Sequence, residues 1–375
     1  MNGAVPPSGA DPPVGPGRAL SENERKILTA IGIHGPRTKR DICRQTSIAW
    51  ATAVKLVGRL VGDGFLRQVG ILEQPRVQGP DSTVFDLASD YPLAVGVDVE
   101  YANTRAIVTD LRGGVRSAHL APTPRFSDAR RVAEHTSRVV DAAIAAADVD
   151  SARVVGVGVG LPRFLIRDDP DLFASVGASI AATRNSRIVV DDVARAYALA
   201  MEFERRSHAS FAVVTIRSGV GLGLSVDGRL FRGDSNHAGL LGHMVVRPGT
   251  TGSCPHCGRS GCLEQFVNDT LVTAELLEAA ASGAPDATAE LADRADALAH
   301  ALSFLIMVTN ITEIFVAAQL GEYGYLFADA VRSALSRYVA PFVPCRVEFV
   351  PLSADRFALG AAFFVLRDYF NYELE

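Results

Sequence analysis

Apolar residues recur along this chain in two rhythms, and the changes of rhythm mark its parts. Residues 1–20, MNGAVPPSGADPPVGPGRAL, have neither rhythm and are rich in Pro, Gly and Ala, so they predict a disordered tail. A helical rhythm begins at Ser21. Ser21 with Glu24 reads as a capping box, and Ile27, Leu28 and Ile31 make one apolar face that Gly32 and Gly35-Pro36 end. Thr38 caps a second short helix carrying Ile42 and Cys43. After a turn at Ser47, a third helix over 49–62 presents Ala53, Leu56, Val57 and Leu60 as its core stripe. Ala49 is a poor N-cap for it, and Gly64 stops it. FLRQVGIL and TVFDL then read as two strands joined by the turn-rich QPRVQGPDS. Three short helices and a hairpin over 21–88 predict a winged helix-turn-helix.

The remaining residues, 89–375, alternate strand and helix. PLAVGVDVE, TRAIVTDL and GVRSAHLA predict three strands, a long amphipathic helix covers about 128–147, and RVVGVGVGLP and SRIVVD are further strands. FAVVTIRSGVGLGLSVDGRLFRG repeats the hairpin theme. Helices follow over about 271–281 and 287–309, then a strand in ITEIFVAAQLG, a helix in YLFADAVRSALSRYV, a strand in VEFVPL and a closing helix in FALGAAFFVLRDYF. The fold class is α/β, with two lobes of βββαβα type at about 89–193 and 194–375 and a cleft between them.

Composition changes this picture in three places. Residues 21–80 hold ten Lys/Arg against five Asp/Glu, while the whole chain has a net charge of −5. A small basic head on an acidic body points to nucleic acid; a merely solvated surface is the alternative. In such a head the recognition helix offers Trp50, Thr52 and Lys55 to the groove of duplex DNA. Thr38, Lys39, Arg40 and Arg44 lie toward phosphates, and Arg76 sits in the wing. Trp50 also suits a core or a dimer surface. Dimers of such domains read inverted repeats, so a homodimer or homotetramer is expected. No apolar run is long enough to predict a membrane helix, and no basic-plus-apolar leader opens the chain. Five cysteines, three of them clustered, suit a reducing cytoplasm rather than a disulfide framework.

That cluster is the strongest chemical signal. His243, Cys254, Cys257 and Cys262 lie within NHAGLLGHMVVRPGTTGSCPHCGRSGCLEQF. One histidine with three close cysteines is a Cys3His set, the composition of a closed, tetrahedral structural zinc site, here a loop over 243–262. Gly258 and Gly261 let the backbone wrap around it. A free or redox CxxC pair is the alternative. His256 is a rival ligand, but its place inside the knuckle predicts that it points outward.

AGLLGH followed by CPHCGRSGCLE resembles the signature of the ROK family of repressors, uncharacterised reading frames and sugar kinases. The family pattern is A-G-E-x-G-H, then C-x-C-G-x-x-G-C-L-E. Leu240 stands in place of the glutamate, and the first cysteine pair here has two intervening residues. The resemblance implies an actin- and hexokinase-like two-lobed domain after the winged head. It also implies a cleft in which His243, Glu264 and Asp192 meet a sugar or a sugar-derived effector. A helix-start carboxylate is the plainer role for Glu264.

Three family features that serve phosphoryl transfer are altered. The D-x-G-G-T-K hairpin is Asp98-Val99-Glu100-Tyr101-Ala102-Asn103, with both glycines replaced and a carboxylate added where polyphosphate would lie. In N-D-A-N-A-x-A-L, anchored on Ala196-x-Ala198-Leu199, the position of the sugar-activating base falls on Val193, and Asp192 takes the asparagine's place; a shift of one residue would put Asp192 at the base position but lose the Ala-x-Ala-Leu match. The third is Leu240. Ser218-Gly219-Val220-Gly221-Leu222-Gly223 still matches the second phosphate loop. The reading is a transcriptional regulator, acting as a repressor on a DNA operator, with structural zinc and without enzymatic activity. Its rival is a sugar kinase that phosphorylates a hexose or amino sugar with ATP.

Overall fold

The computed structural model describes residues 20–72, 82–166, 169–184, 186–205 and 209–370. Helix α1 spans Glu22–His34, where Ser21 and Glu24 form the reciprocal capping box. After the short strand β1 (Arg37–Thr38), Thr38 and Asp41 form a second capping box at the start of α2 (Lys39–Thr46). Helix α3 (Trp50–Gly62) starts from Ala49 with no side-chain cap and buries Ala53, Leu56, Val57 and Leu60. Strands β2 (Leu66–Leu72) and β3 (Ser82–Leu87) pair antiparallel, and β1 adds to the other side of β3. The expected winged arrangement is therefore present. Most of the wing's turn, with Arg76, lies outside the described residues.

Strands β4 (Leu93–Val99), β5 (Asn103–Thr109) and β6 (Val115–Pro122) form an antiparallel meander, followed by helix α4 (Ala129–Ala147). Strand β7 (Val154–Leu161) then joins β4 in parallel. Helix α5 (Leu172–Ala181) leads to β8 (Arg187–Asp192) beside β7. Helix α5 lies in a stretch for which the sequence pattern predicts no element, although Leu172, Val176 and Ile180 repeat every four residues and are buried. Helix α6 (Val193–Arg205) passes to the second sheet, of β9 (Phe211–Ile216), β10 (Val220–Val226) and β11 (Arg229–Leu230). Helices α7 (Ala274–Ala281) and α8 (Pro285–Thr309) follow. Helix α7 starts three residues later than expected because Thr273 caps it, its hydroxyl accepting from Leu276 N–H. Strand β12 (Glu313–Ala318), helix α9 (Gly324–Leu335) and strand β13 (Arg346–Pro351) complete that sheet, and α10 (Ala354–Leu366) closes the fold. The two five-stranded sheets run β6-β5-β4-β7-β8 and β11-β10-β9-β12-β13.

Each sheet is covered on both faces. Helices α4 and α5 bury one face of the first sheet, and α8 and α9 bury one face of the second. The opposite faces meet α6 and α10. Although it is last in sequence, α10 packs back on the first sheet rather than staying with the second lobe, where its place in the chain would put it. Glycine permits this. A Cβ at Gly96 would fall 1.8 Å from the Ala358 carbonyl oxygen, and one at Gly360 would fall 1.6 Å from that of Ala196 where α10 crosses α6. Gly360→Ala must therefore prise the two helices apart. Overpacking of this kind costs about 3 kcal/mol, so chemical denaturation of this variant should show a lowered midpoint with an unchanged slope.

The winged head shares the α6/α10 core. Phe65 lies 5.7 Å from the Tyr369 ring, Phe370 packs on α1 at Gly32, and Arg112 pairs with Asp86. Among the described residues no helix is long and apolar enough to cross a membrane.

Candidate functional site

His243 ends a single 3-10 turn over Leu241–His243. A bridge between Val245 and Cys262 then brings the two ends of the loop together. Cys254 N–H donates to the Arg259 carbonyl and Gly258 N–H to that of Cys254, closing the knuckle. Gly261 sits at φ 79°, where a Cβ would fall 2.1 Å from the Arg247 carbonyl oxygen. The result is that His243, Cys254, Cys257 and Cys262 point one donor atom each to a common centre, all within 4.8 Å of one another. Cys254 Sγ is 3.7 Å from His243 Nδ1, and Cys257 Sγ is 3.6 Å from Cys262 Sγ. Zinc bonds of about 2.3 Å to sulfur and 2.0 Å to nitrogen at tetrahedral angles require edges of roughly 3.5–3.8 Å. The Cys254–His243 and Cys257–Cys262 edges therefore already stand close to the spacing such an ion needs. Burial, and then the neighbouring Cys257 thiol, push the Cys262 thiol up to about 12. Burial also raises Cys254. A cation at the centre would reverse that penalty by binding the thiolates.

His256 does not point outward. It stacks on Tyr101 at 5.2 Å between ring centroids, and its Nδ1 meets Glu264 Oε1. The imidazole thus lines the cleft. Glu264 is only 3% exposed and lies 3.6 Å from His243 Nε2 as well.

The cleft holds a cavity of about 90 Å³ lined by Asp192, His243 and Glu264, so the three residues expected at a ligand site converge. Val193, Leu240 and Phe164 supply apolar wall, and Arg163 and Arg217 supply cations. Burial raises the Asp192 carboxyl, and one of its oxygens accepts from Ala194 N–H at 2.9 Å. The neighbouring Asp191 is committed elsewhere. It pairs with the buried Arg195 at 2.7 Å and with Arg232, while Arg195 also donates to the carbonyls of Asn236 and Ala238. That network fixes the start of the His243 loop against α6.

Arg217 is the site residue that sequence patterning misses. It lies at the tip of the second hairpin, just before the Ser218–Gly223 loop. From there it reaches across the cleft to Asp98 at 3.0 and 3.2 Å and to Glu100 at 3.6 Å. Ser218 Oγ donates to Glu100 at 2.8 Å. The two hairpin tips that a polyphosphate would have to separate are thus tied to each other. The one available signal is a cation beside a glycine loop in a chain whose first hairpin has gained a carboxylate at Glu100, and only the fold shows that they meet. Burial outweighs Arg217 and pushes Asp98 up to about 6. The latch therefore loses charge as pH falls through about 6. Phe357, near the start of α10, lies under the Arg217 guanidinium at 4.2 Å, and the residues just after α10 reach the winged head.

On the head, Trp50, Thr52 and Lys55 share the exposed face of α3, with Trp50 57% exposed, so it is not a core residue. Arg40 and Arg44 are exposed on α2, and Lys39 lies over the Phe85 ring at 5.2 Å. Thr38 departs from expectation. It is 5% exposed and its hydroxyl donates to Asp41 at 2.6 Å, so it caps α2 and has no free group for a phosphate.

The ROK family model matches residues 94–368. The chain belongs to the ROK family. Among curated relatives, the xylose repressor of Bacillus subtilis is 22% identical over 66% of this chain and 66% of its own length. The xylose repressor of Caldicellulosiruptor bescii is 18% identical, over 93% of this chain and 96% of its own. A glucokinase of Streptomyces coelicolor is 28% identical over 52% of this chain and 66% of its own. Among solved structures, a ROK family transcriptional regulator described as a homologue of the E. coli MLC protein superposes with a TM-score of 0.76. It is 17% identical and covers 94% of this chain and 97% of its own. This last match extends the shared fold through the winged head.

Proposed function

We propose that the chain is a DNA-binding transcriptional repressor of the ROK family, with a head over 21–88 that reads an operator and a ROK domain over 89–375 that senses a small effector. The observation that carries this reading is the exposed face of α3 with Trp50, Thr52 and Lys55, flanked by the basic residues of α2 and packed onto a ROK fold. The repressor relatives that match over nearly the whole chain support it. The operator is an inverted repeat bound by a homodimer or homotetramer in the cytoplasm.

The ion of the Cys3His set is zinc, held by His243, Cys254, Cys257 and Cys262. Four protein ligands leave no open position for a catalytic water, so the ion is structural and anchors the cleft loop. The effector is a sugar or sugar derivative. Glu264 and Asp192 accept its hydroxyls, and His243 lies beside them. The rival reading, phosphorylation of a hexose or amino sugar, draws on the Asp192 carboxylate in the cavity but has to open the Arg217 latch.

Replacing Lys39 and Arg40 together with alanine should weaken binding to all duplexes alike. It should also lower the slope of log affinity against log salt by about 1 for each phosphate that is no longer neutralised. Thr52→Ala should instead change which base pair is preferred. Fluorescence anisotropy over a salt series with an operator and a scrambled duplex checks both. An unchanged slope in the double variant would show that α2 does not face the phosphates.

A further inference from the structure

We propose that Cys254, His256 and Glu264 form a second divalent-cation position beside the Cys3His set, open to the cleft and coming into play at higher metal concentration. The inference rests on the zinc reading above, because the two positions share the Cys254 thiolate. The donor atoms of the three residues lie within 4.8 Å of one another. Cys254 and Glu264 are buried, and His256 lies partly buried between them and Tyr101.

Three observations support it. First, His256 Nδ1 and Glu264 Oε1 are in direct contact. Imidazole nitrogen and carboxylate oxygen are both metal-ligand atoms, and here they converge beside the Cys254 thiol. Second, the corner is short of positive charge. Three thiolates and a dication leave the filled Cys3His set at −1, and Glu264 adds another negative charge 3.6 Å from His243. Of the cavity's arginines, Arg217 pairs with Asp98 and Glu100, and Arg163 donates to the Asn236 carbonyl and interacts with the Asp192 carboxylate. Third, the position is accessible. His256 and Glu264 both line the cavity, and three protein ligands leave a coordination place facing it. Thiolate, imidazole and carboxylate together suit zinc or cobalt(II). Filling the position involves no electron transfer. A hydroxyl oxygen of the effector would then complete the shell. His256 lies within the first cysteine pair, which is one residue longer here than the family's C-x-C.

The test uses the full chain, stripped by a chelator under reducing conditions and titrated with cobalt(II). Visible absorption follows the filling, and elemental analysis after gel filtration counts the ions retained. Two equivalents are expected, the second weaker and with a distinct spectrum. His256→Ala should reduce the count to one, leaving the first spectrum and the circular dichroism of the fold unchanged; Glu264→Gln should also reduce it to one, with a shifted first spectrum because Glu264 lies beside His243. Saturation of the unaltered chain at one equivalent, or two equivalents persisting in His256→Ala, overturns the second position and leaves the Cys3His reading intact. No retained ion at all overturns both.

Discussion

The variant Cys262→Ser is expected to lose the ion of the Cys3His set and to unfold at markedly lower denaturant or temperature than the unaltered chain. Cys262 is fully buried, its Sγ is 3.6 Å from that of Cys257, and its backbone is bridged to Val245. Serine offers a poor zinc ligand at this place and leaves two thiols and an imidazole converging on an incomplete centre. Structural zinc binding in small peptides is worth about 10–16 kcal/mol. Most of this fold has other cores, so a loss of about 3 kcal/mol or more is the expectation for the lobe that carries the loop. His256→Ala should retain the Cys3His ion, because His256 contacts Glu264 rather than the four-donor centre. Elemental analysis with thermal melts checks the pair of variants. Freshly purified, unchelated protein without zinc would contradict the assignment outright.

The second large effect is the absence of phosphoryl transfer. ATP-Mg offered with hexoses and N-acylated amino sugars should yield turnover below about 0.001 s⁻¹, against 1–100 s⁻¹ for typical kinases. Such catalysis consists of positioning and electrostatics, and here the positions are taken. Arg217 is held by Asp98 and Glu100, the Ser218 hydroxyl by Glu100, and Glu100 is the carboxylate added in the hairpin that resembles the family's first phosphate loop. Inactivity does not depend on the cavity lacking a carboxylate, since Asp192 lines it beside Val193. It depends on the hairpin tips staying joined. Turnover in the kinase range that Asp192→Ala abolishes would show that the latch opens and that Asp192 is the base.

What can be read from residues alone differs from one part of the molecule to another for physical reasons. The helices of the head carry their own start signals in Ser21 and Thr38, and the Cys3His set is defined by ligand chemistry within one loop, so both are legible in the sequence. The return of α10 to the first sheet is not, because it depends on glycines at positions 96 and 360 meeting carbonyls from distant segments. The direction of His256 shows only in its stacking on Tyr101, which is far from it in the chain. The latch needs Arg217 and Asp98, which are far apart in the chain, to meet across the cleft. Thr38 shows the opposite difficulty: the signal that marks it as a cap is right, and the same geometry removes it from the DNA-facing surface.

The claim that α3 reads DNA is tested most directly by incubating the purified full chain with fragmented genomic duplex at near-physiological salt and sequencing what it retains. One inverted-repeat sequence should be enriched, with enrichment abolished when Lys39 and Arg40 are both replaced by alanine and redirected to other sequences by Thr52→Ala. Retention of fragments in proportion to their input, with no shared sequence and no response to those substitutions, would contradict it.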